Sequence, residues 1–408
     1  MRQTVQVENF GTNTRAGVRT IKPLALYIHI PFCQRKCLYC DFISFPGGRE
    51  RFPAYLQALG LELGQRLKAE LEIASIYIGG GTPTVLPTEA LTELLKKIKA
   101  AAQVLPNAEI TIEANPGSVT KEQLALLFQA GVNRLSLGAQ SGKDRFLKKL
   151  GRGHTTRQVE TTFATARKVG FSNINLDLIF GLPEETIVDW TETLKWATAL
   201  GPEHLSCYGL QVEEGTPLAK MLNEGRISLP SEDEVSAMFL LNAELLPSVG
   251  YRHYEISNFA KIPSKSNDRF SDYRCRHNLF YWQYADYLGL GLAAYSSVAG
   301  RRWGNLSDLN LYLNALRSGK LPVAVEEMIS PAKGMAEMIM LGLRLIDGPD
   351  PTVFKARWGV SLDEVLGSRV EPLLTGGFLL KKQGTYCLTP RGMLVSNQVL
   401  TELLNPLL

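Results

Sequence analysis

The feature that most constrains the fold of this chain is a regular alternation of short β-rich runs with longer helical patterns, between residue 24 and about residue 250. Because strands joined by a helix usually pair in parallel, this pattern predicts an α/β protein with a parallel sheet. The sheet could be doubly wound, or it could form a closed or partial barrel. The predicted strands are Ala25–Ile30, Ser75–Gly79, Glu109–Glu113, Arg134–Gly138, Asn173–Ile179 and His204–Leu210.

The segments between these strands carry helix signals. Residues Thr88–Lys99 place four leucine and isoleucine side chains on one helical face. Thr120 and Gln123 fit a capping box, as do Thr155 and Gln158, and a glycine follows each of the two predicted helices. These signals fix where two of the helices should begin and end.

The rest of the chain does not continue the alternation, so it is divided separately. Residues 1–23 are read as an N-terminal extension, 24–256 as the α/β domain, and 257–325 as a connecting segment rich in aromatic residues. Residues 326–408 begin with an amphipathic helix, Pro331–Ile346, and later contain two short strands followed by a helix from Pro390. That order predicts a helical, winged-helix-like C-terminal domain.

Composition excludes several classes of protein. The 408 residues carry 44 basic and 40 acidic side chains, a near balance with no basic tail, so no nucleic-acid partner is expected. No run is long and apolar enough for a transmembrane segment, and the first 22 residues lack the apolar core of a signal peptide. Six cysteines are too few for a disulfide scaffold, which favours a reducing, cytoplasmic location.

Three of these cysteines, Cys33, Cys37 and Cys40, follow the first strand with the spacing C-x3-C-x2-C. Three thiolates on one loop can ligate three irons of a [4Fe–4S] cluster and leave the fourth iron open to another ligand. A structural zinc site would need a fourth ligand, and no further cysteine or histidine lies nearby in the sequence. The alternative is that the three cysteines are small buried hydrophobic residues.

Polar residues come at the ends of the following strands, where parallel α/β proteins bind ligands. The second strand ends in Gly79-Gly-Gly-Thr82, which would let the backbone approach a ligand and offer N–H groups to an anion. Each feature alone is more often structural. Together with an open iron, they predict a pocket for a ligand with a carboxylate, an amine and a ribose. The other polar residues predicted at the ends of these strands are Glu113, Gln140, Arg152 and Asp177.

These motifs resemble those of radical S-adenosylmethionine (SAM) enzymes, in the branch similar to coproporphyrinogen III dehydrogenases. The resemblance covers residues 24 to about 300 and implies a partial (β/α)6 radical SAM barrel. It further implies that SAM chelates the open iron and that a reductant for the cluster allows SAM cleavage to a 5′-deoxyadenosyl radical. The SAM site that it implies is lined by Tyr27, Gly80, Gly81, Thr82, Glu113, Gln140, Arg152 and Asp177.

Within this branch the chain is more similar to the HemW heme chaperones than to the dehydrogenases. The dehydrogenases carry a fourth cysteine two residues after the third, where this chain has Phe42. The chaperone motif H-N-x-x-Y-W is matched from His277 to Trp282. The resemblance therefore implies binding of heme and its transfer to acceptor hemoproteins, without the decarboxylation. A dehydrogenase that decarboxylates coproporphyrinogen III and a related radical SAM methyltransferase are the alternatives.

His277 is the candidate heme ligand, since a neutral imidazole is a common axial ligand of heme iron. Cys275 offers a thiolate in the same segment. Tyr281, Trp282, Tyr284 and Tyr287 could line a flat porphyrin. The alternative is that His277 is a hydrogen-bonded interior residue and that the aromatic side chains belong to the core.

Overall fold

The computed structural model describes residues 23–263 and 272–405. Except for Pro23, the predicted N-terminal extension lies outside the described residues. Part of the connecting segment, residues 264–271, lies outside them as well. Within the described ranges, no helix has both the length and the apolar character needed to cross a membrane.

The described residues contain the following strands: β1 Leu24–Ile30, β2 Phe32–Cys33, β3 Phe45–Pro46, β4 Glu72–Gly80, β5 Gln103–Ala114, β6 Arg134–Gln140, β7 Ile174–Phe180, β8 His204–Gly209, β9 Tyr251–Glu255, β10 Asn258–Lys261, β11 Tyr287–Leu290, β12 Tyr295–Val298, β13 Arg301–Asn305, β14 Val323–Met328, β15 Leu379–Lys382 and β16 Thr385–Leu388.

The α-helices of the same residues are α1 Phe52–Arg66, α2 Thr88–Ala101, α3 Lys121–Gln129, α4 Asp144–Lys149, α5 Thr156–Val169, α6 Ile187–Leu200, α7 Pro217–Asn223, α8 Glu232–Ser248, α9 Arg276–Trp282, α10 Leu309–Arg317, α11 Pro331–Gly342, α12 Pro351–Trp358, α13 Leu362–Leu366, α14 Val370–Thr375, α15 Pro390–Leu394 and α16 Ser396–Leu404. Short 3-10 helices lie at Arg49–Arg51, Pro83–Val85 and Gly367–Arg369.

All six predicted strands are present as β1, β4, β5, β6, β7 and β8, and they pair in parallel in that order. A doubly wound sheet would reverse its order at a switch point, whereas this order runs in one direction. The two outer strands of the sheet, β14 and β9, do not pair with each other, so the sheet is open. The predicted partial (β/α)6 barrel is confirmed.

The sheet is larger than predicted and contains twelve strands among the described residues. β11 extends it beyond β1 in parallel, and β12, β13 and β14 follow antiparallel. At the other edge β10 and β9 pair antiparallel next to β8. Residues 257–325 therefore do more than connect two domains, because they supply four strands of the same sheet and begin a fifth, β14, which continues to Met328.

The two faces of the parallel strands differ in chemistry. On β4, Ile76 and Ile78 are fully buried in the main core, together with outward residues of the neighbouring strands. The alternate residues Ser75 and Tyr77 face the inside of the barrel, where they form hydrogen bonds with residues of other elements. Parallel strands are normally apolar on both faces, so a polar interior marks this side as the one that holds a site.

The capping boxes at Thr120 and Thr155 are both formed and start α3 and α5 as predicted. The C-terminal helices and the β15–β16 hairpin enclose a second core. Helix α11 ends at Gly342, four residues before the predicted Ile346. The chain after it hydrogen-bonds instead to β9 and to the residue that follows β9, through Ile346 N–H to Tyr254 C=O and Ile256 N–H to Arg344 C=O.

Candidate functional site

The three cysteines lie on one loop at the carboxyl end of β1. Cys33, Cys37 and Cys40 are half-buried, and none is in a disulfide. The loop is fixed at both ends, because Gly47 N–H donates to Cys33 C=O and Leu38 N–H donates to Leu150 C=O. Burial raises the pKa of the Cys33 and Cys40 thiols. Deprotonation of these thiols is therefore favoured only when positive charge is bound next to them.

Hydrogen-bond donors converge on two of the sulfurs. Arg152 Nη1 lies 3.3 Å from Cys37 Sγ, and Thr82 Oγ1 lies 3.5 Å from Cys33 Sγ. Asn115 joins the two donors, since its amide nitrogen lies 2.8 Å from Thr82 Oγ1 and its oxygen lies 2.5 Å from Arg152 Nη2. These side chains tie the loop to the ends of β4 and β5, and donors aimed at sulfur stabilise thiolate ligands.

The donor set fits a cluster better than a single metal ion. Across residues 23–263 and 272–405, no three His, Cys, Asp or Glu side chains are close enough to hold one ion. In a [4Fe–4S] cluster each thiolate binds a different iron, so the sulfurs stand farther apart. Three free thiols on a fixed loop, with donors aimed at two of them, match that requirement.

The glycine run after β4 packs tightly against its neighbours. Gly80 has φ of 108°, and a Cβ there would lie 2.4 Å from the His29 ring. A Cβ on Gly81 would lie 2.6 Å from Phe32 C=O. Only glycine fits at these positions, because a side chain would collide with the strand that leads to the cysteine loop.

The expectation that this run offers its N–H groups to an anion is wrong. Gly80 N–H donates to Glu113 Oε2, Gly81 N–H to Ile30 C=O and Thr82 N–H to Phe32 C=O. These donors are used inside the protein because β1 and its extension lie alongside the run. Any contact of this backbone with a ligand would come from its carbonyl oxygens.

Glu113 lies on the inner face of the barrel beside the glycine run. Its Oε1 accepts a 2.8 Å hydrogen bond from the Tyr77 hydroxyl, and its Oε2 accepts one of 3.0 Å from Gly80 N–H. Burial, with the nearby Asp177 carboxylate, raises the pKa of Glu113 to about 7. A cationic amine bound here would favour the ionised carboxylate.

Tyr27 and His29 form a short chain of hydrogen bonds between the barrel interior and the cysteine loop. The Tyr27 hydroxyl lies 3.0 Å from His29 Nδ1, and His29 Nε2 lies 3.0 Å from Ile43 C=O. A carbonyl oxygen can only accept, so Nε2 carries the proton and Nδ1 accepts from Tyr27. His29 thus holds the loop in place.

Asp177 and Gln140 complete the predicted set. Asp177 accepts hydrogen bonds from Ser136 and Asn175, and burial raises its pKa. Gln140 is buried with φ of 65°, a conformation that is uncommon outside glycine and is found at functional sites. Its side chain lies near Arg152, since a Cβ on Gly138 would touch both. Of the predicted SAM residues, Thr82 and Gln140 stand at or just beyond the carboxyl ends of β4 and β6, whereas Tyr27 and Asp177 lie in the middle of β1 and β7.

His277 lies on the same inner face of the barrel, beside Ser75 near the amino-terminal half of β4, with its ring centroid 5.1 Å from that of Tyr77 and 6.3 Å from that of Tyr27. It is 2% exposed, its Nδ1 lies 2.9 Å from Ser75 Oγ, and its Nε2 lies 3.1 Å from the Tyr281 hydroxyl. Burial lowers its pKa to about 3. In this conformation neither ring nitrogen is free for an iron, so the structure favours the alternative of a hydrogen-bonded interior histidine.

The sequence reasoning missed the residue that holds this segment. Glu109 Oε1 accepts the His277 N–H and Glu109 Oε2 accepts the Arg276 N–H, each at 3.1 Å. Cys275 Sγ also lies 3.6 Å from the same carboxylate, so it is engaged as well. Glu109 was predicted only as the first residue of a strand, and its inward position follows from the alternation with Ile110 and Ile112.

The aromatic side chains after His277 do not form one flat wall. Tyr281 packs edge-on against both His277 and Tyr287 inside the barrel. Trp282 lies under the guanidinium of Arg344 at 5.3 Å, and Tyr284 belongs to the core of the C-terminal domain. This segment therefore connects the interior of the barrel, through Tyr281, to the core of the C-terminal domain, through Tyr284.

Comparison with known proteins places the chain in a family. The Radical SAM superfamily profile matches residues 27–197, and the HemN C-terminal domain profile matches residues 329–395. Heme chaperone HemW of Bacillus subtilis (strain 168) is 34% identical over 384 residues, which are 93% of this chain and 99% of that protein. Heme chaperone HemW of Escherichia coli (strain K12) is 32% identical, over 93% and 98% of the two chains.

The fold also has a solved counterpart. Coproporphyrinogen III oxidase (HemN) from Escherichia coli, described as a radical SAM enzyme, superposes with a TM-score of 0.81 over 94% of this chain and 90% of that chain. The two are 22% identical, so the likeness concerns the fold. The open parallel barrel and its cysteine loop define a radical SAM protein. Its full-length relatives show that the chain belongs to the HemW heme chaperone family.

Proposed function

We propose that this protein binds heme and transfers it to acceptor hemoproteins, while it carries a [4Fe–4S] cluster with SAM on the open iron. The observation that carries this proposal is the similarity to heme chaperones along almost the whole chain. It is supported by Phe42, at the position where the dehydrogenases carry a further cysteine. Three accessible free thiols suit a reducing compartment, so we also propose that the protein works in the cytoplasm.

In this proposal the residues at the carboxyl ends of the strands hold the two groups. Cys33, Cys37 and Cys40 would ligate the cluster, and Glu113 would accept hydrogen bonds from the amino group of SAM. When bound, the cluster and SAM supply one-electron chemistry, and the barrel positions them. Arg152 and Thr82 keep the thiolate loop in its geometry through their contacts with sulfur.

Heme ligation by His277 stays a prediction, and it has a structural requirement. The ring must give up a hydrogen bond to Ser75 or to Tyr281 before a nitrogen can reach an iron. Leaving a buried partner unpaired costs about 1–3 kcal/mol. Helix α9 would also have to move, because Glu109 holds its first N–H groups inside the barrel. We therefore expect slow heme uptake if His277 is the ligand.

The test is an anaerobic heme titration of the cluster-reconstituted protein, followed by its absorption spectrum. Wild type is compared with His277→Ala and with His253→Ala, a half-buried histidine on β9 that stacks on Phe259. Saturation near one heme per chain, with the Soret band changed only in His277→Ala, supports both the function and the ligand. An unchanged Soret band in both variants would assign ligation to another residue. No heme binding by wild type contradicts the function.

The enzymatic alternatives are tested on the same preparation. Reduced protein is incubated with SAM and coproporphyrinogen III, and carbon dioxide release is measured. Release at a rate that depends on SAM would favour the dehydrogenase, which the fold alone also permits. Formation of S-adenosylhomocysteine would favour a methyltransferase.

A further inference from the structure

Two adjacent polar side chains inside the barrel keep unpaired atoms. Arg134 begins β6 and is 2% exposed, yet its Nε atom makes no hydrogen bond within the described part of the chain. Thr111, its neighbour on β5, is fully buried, and its hydroxyl finds no partner there either. Both face the barrel interior, because the next residues, Ile112 and Leu135, lie in the main core. Buried polar groups are normally paired, so this exception calls for an explanation.

The charge of Arg134 is not neutralised by an ion pair. Among the residues that the structure describes, no carboxylate lies within ion-pair distance of its guanidinium. Burial lowers the pKa of Arg134, but the nearby Cys275 and Glu109 raise it overall, so the group is charged. Glu109 is occupied elsewhere, because its two oxygens accept N–H groups at the start of α9. A buried cation of this kind costs free energy until an anion reaches it.

The unpaired pair lies in the same part of the interior as His277. Strands β4, β5 and β6 pair in register, so Tyr77, Thr111 and Arg134 form one row across the inner face. Neighbouring strands are about 4.8 Å apart, which puts the Cα atoms of Tyr77 and Arg134 about 10 Å apart. The His277 ring packs on Tyr77 with 5.1 Å between the ring centroids. One ligand could therefore reach both the imidazole and the guanidinium.

We propose that Arg134 and Thr111 bind a carboxylate of a tetrapyrrole, which in the proposed function is a propionate group of heme. The inference rests on that function, because it assumes that heme enters the barrel. A guanidinium N–H and a hydroxyl can each donate to one carboxylate oxygen, and hydrogen bonds between charged groups are the stronger kind. The movement of α9 that would free His277 would also open the way to this pair, since Glu109, two residues before Thr111, holds the first turn of α9.

The chemistry of the pair favours a carboxylate over other occupants. A buried water could satisfy the Thr111 hydroxyl, but it would leave the charge of Arg134 uncompensated. A phosphate would bring up to two negative charges into an interior that already holds Glu113 and Asp177, whereas a carboxylate brings one. Heme carries its peripheral charges on two propionates, so a site that removes one from water must offer it a cation.

The experiment compares the affinity of heme with that of heme dimethyl ester, in which both propionates are esterified. Each compound is titrated into the cluster-reconstituted full-length protein and followed by absorption. The variants are Arg134→Met, Arg134→Lys and Thr111→Val, of which the last removes only an unpaired hydroxyl from a fully buried position. The matched control is Arg276→Met, because the Arg276 side chain donates to Asn107 C=O at the start of α9. Iron content and circular dichroism are measured first for each protein.

We expect wild type to bind heme at least tenfold more tightly than the ester, as a charge-assisted hydrogen bond to one propionate requires. Arg134→Met should lose this preference by weakening heme binding alone. Arg134→Lys should keep part of it, because the charge remains, and Thr111→Val should reduce it severalfold. The control should keep the wild-type ratio of the two affinities.

Equal affinity of wild type for heme and for its ester would refute the carboxylate site and leave the proposed function intact. A preference that both Arg134→Met and Thr111→Val retain, or that only Arg276→Met loses, would refute the assignment to these two residues. If Arg134→Met does not fold, Thr111→Val decides the matter. Failure of wild type to bind either compound would contradict the proposed function, and the inference with it.

Discussion

Replacement of Glu113 by Gln should stabilise the ligand-free protein at neutral and alkaline pH. Glu113 is buried, and its pKa of about 7 compares with 4.5 for an ordinary glutamate. Gln has the same shape and could keep both contacts, with its oxygen accepting from Gly80 N–H and its nitrogen donating to the Tyr77 hydroxyl. The substitution therefore removes the titration with little change in packing.

The sign of the effect follows from proton binding. Below pH 4.5 the carboxyl is protonated in both states, and the stabilisation from its raised pKa is fully present. Between pH 4.5 and 7 the unfolded state has lost the proton and the folded state keeps it. The free energy of unfolding then falls by about 1.4 kcal/mol per pH unit, or about 3 kcal/mol in all. Above pH 7 wild type has lost this stabilisation completely. The free energy of unfolding of Glu113→Gln does not fall in this way, because Gln does not titrate.

The assay is urea unfolding of the cluster-free protein under reducing conditions, followed by circular dichroism between pH 5.5 and 8.5. The free energy of unfolding of Glu113→Gln minus that of wild type should rise by about 2 kcal/mol across this range. Glu93→Gln is the control: it measures how the loss of an exposed carboxylate, on α2, changes the free energy of unfolding. A difference for Glu113→Gln that does not change with pH would refute the reasoning. In the cluster-loaded protein the same variant should bind SAM at least tenfold more weakly, because a charge-assisted hydrogen bond is lost.

Three further substitutions test the site. Gly80→Ala should lower the free energy of unfolding by more than about 1 kcal/mol, since φ of 108° and the His29 ring both oppose a Cβ, and a stable variant by urea unfolding would contradict this. Cys37→Ala should abolish cluster assembly, measured as iron and sulfide per chain, and full occupancy would disprove the ligand assignment. Asp177→Asn should weaken SAM binding in equilibrium dialysis while iron content stays at the wild-type value, and loss of iron would instead indicate a folding role.

Local patterns predicted the local structure well. Short β-rich runs predicted all six barrel strands, although β5 starts at Gln103 and not at Glu109. The capping boxes were predicted because a cap involves residues only three apart. The cysteine spacing indicated three ligands on one loop for the same reason, since a loop of eight residues keeps its own side chains near one another.

Features that depend on distant partners were not predicted. Strands β11 to β14 are short and read as a connecting segment, and they are strands because the open edge at β1 offers them hydrogen bonds. His277 was predicted as a ligand because its hydrogen-bond partners, Ser75 and Glu109, are 202 and 168 residues away in the sequence. The free N–H groups expected of the glycine run donate instead to the Glu113 carboxylate and to carbonyl groups of the chain around the end of β1.

The sequence by itself determined the class of protein. The alternation of strands with helices and the cysteine spacing are both local patterns, so each can be recognised in a continuous stretch of residues. Only the tertiary structure decided which side chains meet inside the barrel. It also decided that both ring nitrogens of His277 are hydrogen-bonded. The physical reason is that a buried polar group must find its partner wherever the fold brings one, and that partner is set by pairing across the whole chain. Glu109 and His277 show this most directly, since neither residue's role can be read without the other.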